Sequence, residues 1–289
     1  MSHPRVDVIG VPMDLGADRR GVDMGPSAVR YAGLHAAIER LGIATLDRGN
    51  IPVRVAESAS PAEANAKYLP IINEACALLA DLVEEVVRAG NFPLVLGGDH
   101  SIAMGTLAGV TRAHGRAPGV IWVDAHGDIN APITSPSGNV HGMPLHFALE
   151  ASSVTPDRMV FIGLRDVDEA EKRTIRELGV KAFTMSDIDR TGMASVISEA
   201  LAIACDGPRS LHESFDMDGI DPTEAPGVGT PVRGGLSYRE AHLLMEAVAA
   251  SGALGSLEIT EINPIIDNQN QTAILAVELV LSALGKTTL

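Results

Sequence analysis

Along this chain, short runs of apolar and β-branched residues alternate with longer stretches whose apolar positions recur every three or four residues. The first kind predicts buried strands: VDVIGVP (6–12), FPLVLGG (92–98), GVIWVDA (119–125), MVFIGL (159–164), SLHESFD (210–216) and GSLEITEI (255–262). The second kind predicts helices. One runs over 26–42 and starts at Pro26, since a residue without an N–H fits the first turn. A long one covers 62–90 and is stopped by Gly90. Another covers 101–115, with Ser101 placed to cap its free N–H groups. Further helices are expected at about 168–178, 192–205, 237–251 and 269–284. This alternation predicts an α/β protein, a three-layer α-β-α arrangement with a mainly parallel central sheet. No repeat, low-complexity tract or linker divides the chain, so residues 1–289 are expected to form a single domain.

In an open parallel sheet, ligands bind where loops leave the carboxyl ends of the strands. The loops that follow the predicted strands are chemically rich: GGDHS (97–101), DAHGDIN (124–130), SPSGNVHGMP (135–144), DMDGIDPTEAPGVGTP (216–231) and EINPIID (261–267). Asp124, His126 and Asp128 alternate, which strand geometry would send to one side. Asp216 and Asp218 repeat that spacing, and Asp99 and His100 close a third strand. Carboxylates crowded in this way repel unless something positive lies between them. An oxygen-rich set with histidines suits Mn²⁺ or Mg²⁺ better than structural zinc, which favours thiolates. Six side chains exceed what one ion takes while keeping positions open for water; two ions bridged by shared carboxylates would use them all. Each feature alone has an ordinary reading. An Asp-x-Asp after a strand is commonly a turn or cap, and a solitary His100 would be a hydrogen-bonded core residue. Their joint occurrence at three strand ends points to a metal centre.

Composition narrows the partners. A net charge of −15 argues against nucleic acid, whose phosphates would be repelled. The two cysteines, Cys76 and Cys205, form no CxxC pair and read as small buried residues of a reducing cytosol. The N-terminus shows no signal-peptide pattern, and no stretch reaches the ~18 apolar residues of a membrane helix. A cytoplasmic protein without membrane partners is therefore expected.

GGDHS, DAHGDIN and SFDMDGIDP together resemble the three metal motifs of the ureohydrolases, which hydrolyse guanidino compounds to urea at a two-manganese centre. The likeness runs from GVPMDLGADRRGVDMGP near the start to EINP near the end, and within the family it points to the arginases of the compact bacterial type. The resemblance implies two Mn²⁺ per subunit. His100, Asp124, Asp128 and Asp216 would hold one; Asp124, His126, Asp216 and Asp218 would hold the other, with Asp124 and Asp216 bridging. It also implies that hydroxide activated by both metals attacks the guanidinium carbon of L-arginine, giving L-ornithine and urea. Asp128 would pass a proton to the leaving amine, and Glu261 would orient the guanidinium. His141 would shuttle protons to solvent, a task that suits an imidazole pKa of about 6.5. Asp99 reads as structural, and Asp221, followed by Pro222, as a turn residue.

The substrate is decided at its far end. Asn130, Ser137 and Asn139 match the arginase residues that hydrogen-bond the α-carboxylate, Asp168 and Glu171 those beside the α-ammonium, and Thr230 a threonine on the guanidinium side. Agmatine lacks the carboxylate and would leave those donors unpaired. An agmatinase or another guanidino-acid amidinohydrolase is the alternative. A zinc deacetylase would need a tyrosine in a metal loop, and Tyr31, Tyr68 and Tyr238 lie in none. A binding protein that had lost catalysis should have lost ligands, and all six are present. Arg19 and Arg20 align ambiguously with the family's single arginine and receive no role. The chain ends at Leu289, short of the extension that helps assemble animal trimers; a homo-oligomer, trimer or hexamer, is expected from the family.

Overall fold

The computed structural model describes residues 5–61, 63–207 and 210–287. Among these residues eight strands build one sheet: β1 (Val6–Val11), β2 (Thr45–Asn50), β3 (Phe92–Gly97), β4 (Gly119–Val123), β5 (Met159–Leu164), β6 (Lys181–Thr184), β7 (Leu211–Asp216) and β8 (Leu254–Thr260). Every pairing is parallel, in the order β2-β1-β3-β8-β7-β4-β5-β6. Chain order breaks where β3 hands over to β4 across β8 and β7, so these four strands are neighbours at the centre. Crevices at such reversals are where α/β proteins place ligands.

Among the described residues, ten α-helices cover the two faces: α1 (Gly25–Tyr31), α2 (Leu34–Arg40), α3 (Leu69–Arg88), α4 (Ala103–His114), α5 (Pro144–Glu150), α6 (Glu169–Leu178), α7 (Met185–Thr191), α8 (Met193–Ala204), α9 (Tyr238–Ser251) and α10 (Gln271–Ala283). The helix expected over 26–42 is two, divided at Gly33, whose φ of 89° a side chain would resist. The long helix expected from Ala62, a position outside the described residues, begins at Leu69. β2, β6, α5 and α7 were not foreseen. β2 (TLDRGN) is half exposed along its length, so it carries no apolar alternation to read.

Alternation within the strands separates two cores. On one face Val6 and Val8, Leu94 and Leu96, Ile121 and Val123, Val160 and Ile162, and Leu257 and Ile259 pack with α1, α2 and α7 to α10. On the other face there are two apolar clusters. One joins Ile9, Val11 and Val95 to α3, and the other joins Trp122 and Phe161 to α5 and α6. Between them β7 and β8 present only polar side chains: His212 and Ser214, beside Ser256, Glu258 and Thr260, all buried. A fully buried Leu or Phe contributes roughly 1.5–3 kcal/mol, so this polar seam forgoes a large stabilisation at the middle of the sheet. It leads directly to the carboxyl ends of the central strands.

Cys76 is buried and Cys205 half-buried. Glu213 is harder to place by type. It is fully buried on the apolar face between Ile121 and Leu257, and neither carboxyl oxygen has a hydrogen-bond partner among the described residues. Burial alone pushes its pKa up to about 8. The folded protein therefore holds a proton that the unfolded chain releases near the ordinary glutamate value. Stability must fall as pH rises from that value to about 8. Glu213→Leu is expected to stabilise the protein at neutral pH by about 1–3 kcal/mol, the scale for an unsatisfied buried polar group. The gain should shrink toward pH 4; urea denaturation at both pH values checks it, and an equal effect at both would contradict a protonated buried carboxyl.

Candidate metal centre

Four adjacent strands, β3, β8, β7 and β4, deliver the candidate side chains to one place. His100 follows β3, where Asp99 caps the first turn: its carboxylate accepts from the Ser101 amide at 3.1 Å and from the Ser101 hydroxyl, and its other oxygen takes the Gly16 amide at 2.7 Å. Gly98 has to be glycine here, because a Cβ would stand 2.5 Å from the Met13 carbonyl oxygen. The structural reading of Asp99 fits these contacts.

His100 Nδ1 lies 3.3 Å from Asp124 Oδ2, 3.2 Å from Asp128 Oδ2 and 3.1 Å from Asp216 Oδ2. His126 Nδ1 lies 3.3 Å from Asp124 Oδ1 and 3.2 Å from Asp218 Oδ2. Asp124 thus presents one oxygen to each histidine. His100, Asp124 and Asp128 form one set able to hold a metal ion, and Asp124, His126 and Asp218 a second. Asp216 joins the first through Oδ2, while its Oδ1 accepts from the Asp218 amide at 2.7 Å.

The route to this convergence differs from the expected strand alternation. β4 ends at Val123, and Asp124 to Asp128 lie in a loop. Asp128 reaches the cluster from a left-handed backbone, φ 49°, and Glu261 from another, φ 65°. Non-glycine residues adopt this conformation at a cost and persist in it where the surroundings hold them. The Asp218 segment is likewise a single turn after β7, tied down by Arg165: its Nη2 donates to the carbonyls of Asp218 at 2.6 Å and Val232 at 2.7 Å.

Electrostatics follow from crowding. Burial disfavours a charged His100, but Asp124, Asp128 and Asp216 raise its pKa well above the imidazole value. Burial and the charge of Asp124 push Asp128 up to about 7, and burial with Asp218 and Asp124 lifts Asp216. Burial opposes ionisation of Asp124 as well, yet the two histidines hold it below the ordinary range. Four carboxylates around two imidazoles leave an excess of negative charge, and the donor set is hard and oxygen-rich. His100 Nδ1 is buried and makes no hydrogen bond among the described residues, which is what a nitrogen meant for a cation would show.

Two residues missed by the sequence reading support this cluster. Trp122, on β4 and two positions before Asp124, donates from Nε1 to Asp124 Oδ2 at 3.0 Å. Its ring also stacks on His100 with centroids 4.0 Å apart. Ser214 meets His100 Nε2 at 2.7 Å. The i−2 spacing of both from an aspartate was legible.

A cleft of about 210 Å³ opens onto the cluster, and Asn130, Ser137, Asn139, Asp168, Glu171 and Thr230 all line it together with His141. These side chains are already engaged. Asn130 donates to Asp168 Oδ2 at 2.6 Å, and Asp168 and Glu171 close a capping box at the start of α6. Burial and Asp128 push Glu171 up to about 7. Thr230 donates to Asp218 at 2.8 Å. Lys67, which nothing in the sequence singled out, bridges Asp18 at 2.8 Å and Asn139 at 3.0 Å. Arg20 pairs with Asp14 and Glu57, away from the cleft. His141 Nδ1 contacts Glu261 Oε1 at 3.0 Å, the oxygen that also accepts the His100 amide. Burial works against charge on His141, but Glu261, Asp128 and Asp99 carry its pKa to about 10. Glu261 Oε2 is buried without a partner among the described residues.

An all-parallel α/β sheet with a histidine–carboxylate cluster at the ends of its central strands defines a candidate metallohydrolase. The chain belongs to the arginase family: the family's model matches residues 4–285. It is 50% identical to an arginase from Brevibacillus brevis over 98% of both chains, and 50% identical to one from Bacillus subtilis over 97% of this chain and 98% of that one. Among solved structures, the native arginase of Bacillus caldovelox superposes with a TM-score of 0.94 at 49% identity, covering 99% of this chain and all of that one. Among the described residues, no helix is long and apolar enough to cross a membrane.

Trp122→Phe keeps a ring against His100 and removes the hydrogen bond to Asp124. Divalent-cation affinity, measured by calorimetric titration, is expected to fall ten- to a hundredfold with the fold intact.

Proposed function

We propose that this chain is a manganese-dependent arginase that converts L-arginine and water to L-ornithine and urea. The observation that carries the reading is the buried, unpartnered Nδ1 of His100 facing three carboxylate oxygens at 3.1–3.3 Å, in a chain of this family. The residues fit two ions: His100, Asp124, Asp128 and Asp216 for one, and Asp124, His126, Asp216 and Asp218 for the other. When bound, the two Mn²⁺ ions offset the carboxylate charge and supply water of lowered pKa near neutral pH.

The remaining steps belong to the chain. Glu261 holds one oxygen against His141 and the His100 amide and leaves Oε2 free, the acceptor a guanidinium N–H requires. Its left-handed backbone, held by these contacts, fixes that oxygen before substrate arrives. Asp128 takes a proton on its carboxylate and delivers it to the leaving amine. His141, at the wall of the cleft and in contact with Glu261, exchanges protons with solvent. Asn130, Ser137 and Asn139 receive the α-carboxylate, with Lys67 adding positive charge beside Asn139. Asp168 and Glu171 take the α-ammonium, and Thr230 steadies Asp218 on the guanidinium side. A cytoplasmic homo-oligomer, trimer or hexamer, belongs to the same proposal.

Urea release from L-arginine and from agmatine by Mn²⁺-loaded protein, side by side with a chelated control, tests the reading. Arginine should be turned over far faster, and chelation should abolish activity; preference for agmatine would refute the substrate assignment. Asn130→Ala is expected to raise KM for L-arginine about tenfold and leave the agmatine rate unchanged. Equal loss on both would place Asn130 in scaffolding rather than carboxylate recognition.

A further inference from the structure

The polar seam beneath the cluster has a direction. Glu258 is fully buried, and its Oε1 meets Ser214 Oγ at 2.6 Å and His212 Nε2 at 3.3 Å. The Ser214 hydroxyl donates its one proton to this carboxylate. Ser214 then has only lone pairs left for His100 Nε2, 2.7 Å away, and that nitrogen must carry the proton. Nδ1 of His100, aimed at the three carboxylates, is then the nitrogen left to offer its lone pair to a cation. On the far side His212 donates from Nε2 to the same carboxylate oxygen, and its Nδ1 lies 2.9 Å from Ser256 Oγ. His100, Ser214, Glu258, His212 and Ser256 are exposed by no more than 1%.

We propose that Glu258 and His212 are a positioning pair for His100: acting through Ser214, they fix its proton on Nε2 and so present Nδ1 as a metal-binding lone pair. The proposal rests on the metal-centre reading given above. Trp122, stacked at 4.0 Å and 10° to the imidazole, fixes the orientation of the ring but cannot choose which nitrogen is protonated. The carboxylate makes that choice. Without it, the Ser214 hydroxyl is free to turn and donate to Nε2, placing the His100 proton on Nδ1 where a cation must bind. The seam also interrupts the apolar packing of this face, a place where a purely structural role would be better filled by aliphatic residues.

The test is Mn²⁺ titration of metal-stripped protein, followed by calorimetry and by electron paramagnetic resonance. A spin-coupled pair and an isolated ion with its six-line signal are distinct there. Glu258→Leu is expected to keep one ion and bind the second ten- to a hundredfold more weakly, giving the isolated-ion signal at one equivalent. Glu258→Gln, whose amide oxygen can still accept from Ser214, should retain the coupled pair. Glu213→Leu is the control, since it removes a buried carboxyl from the same part of the sheet on the opposite face; it should also retain the pair. A folded Glu258→Leu protein that loads two ions with native affinity would overturn the proposal, as would equal impairment of the Leu and Gln variants. If Glu258→Leu does not fold, Ser214→Ala should show the same single-ion signal, and a native coupled pair in it would overturn the relay. Absence of a coupled pair in the unsubstituted protein would overturn both this inference and the metal-centre reading; its presence there and in Glu258→Leu would overturn only this one.

Discussion

Charge crowding inside an apolar sheet is the constraint around which this molecule is arranged. Two like charges about 4 Å apart repel by roughly 4 kcal/mol at an effective dielectric of about 20, and here three carboxylates face one imidazole nitrogen. Left alone, such a group would protonate or splay apart. Several features oppose that. Trp122 and the backbone amides of His126 and Asp218 each hold a carboxylate oxygen, Arg165 binds the loop carbonyls behind them, and two residues accept left-handed backbones. The surroundings thereby fix the positions of the charges.

Much of this was legible in the order of residues. The six inner strands of the sheet announce themselves as apolar runs, and their polar terminations locate the site. The edge strands β2 and β6 stayed hidden because a strand packed on one side by loops and solvent has no need of a regular apolar period. Gly33 was visible, but a glycine inside a helical pattern does not declare whether it breaks the helix. For Asp124, His126 and Asp128 the expected convergence is present while its expected cause is absent, since the strand has ended before them. Periodicity reports where side chains point in regular elements; it is silent on a loop that turns back through positive φ.

The mouth of the cleft obeys different rules from its floor. On the floor, contacts are short, buried and supplied by backbone amides or ring stacking. At the mouth, Asn130, Asp168, Lys67 and Asn139 satisfy one another across three loops. Polar groups that already have partners exchange one hydrogen bond for another when a ligand enters, so the net gain per contact is modest. Discrimination between ligands then depends on how many of those exchanges each one can complete.

The position of the site in the sheet has a consequence for how the chain can vary. All the candidate metal side chains issue from β3, β7 and β4, with Glu261 following β8, while the margins β2 and β6 contribute none. A parallel sheet transmits register from strand to strand, so a shift at the centre would displace several ligands together, whereas a shift at an edge dissipates into solvent. The two margins are therefore where insertions, altered loops and new subunit contacts can accumulate in descendants of this sequence while the chemistry at the centre stays unchanged.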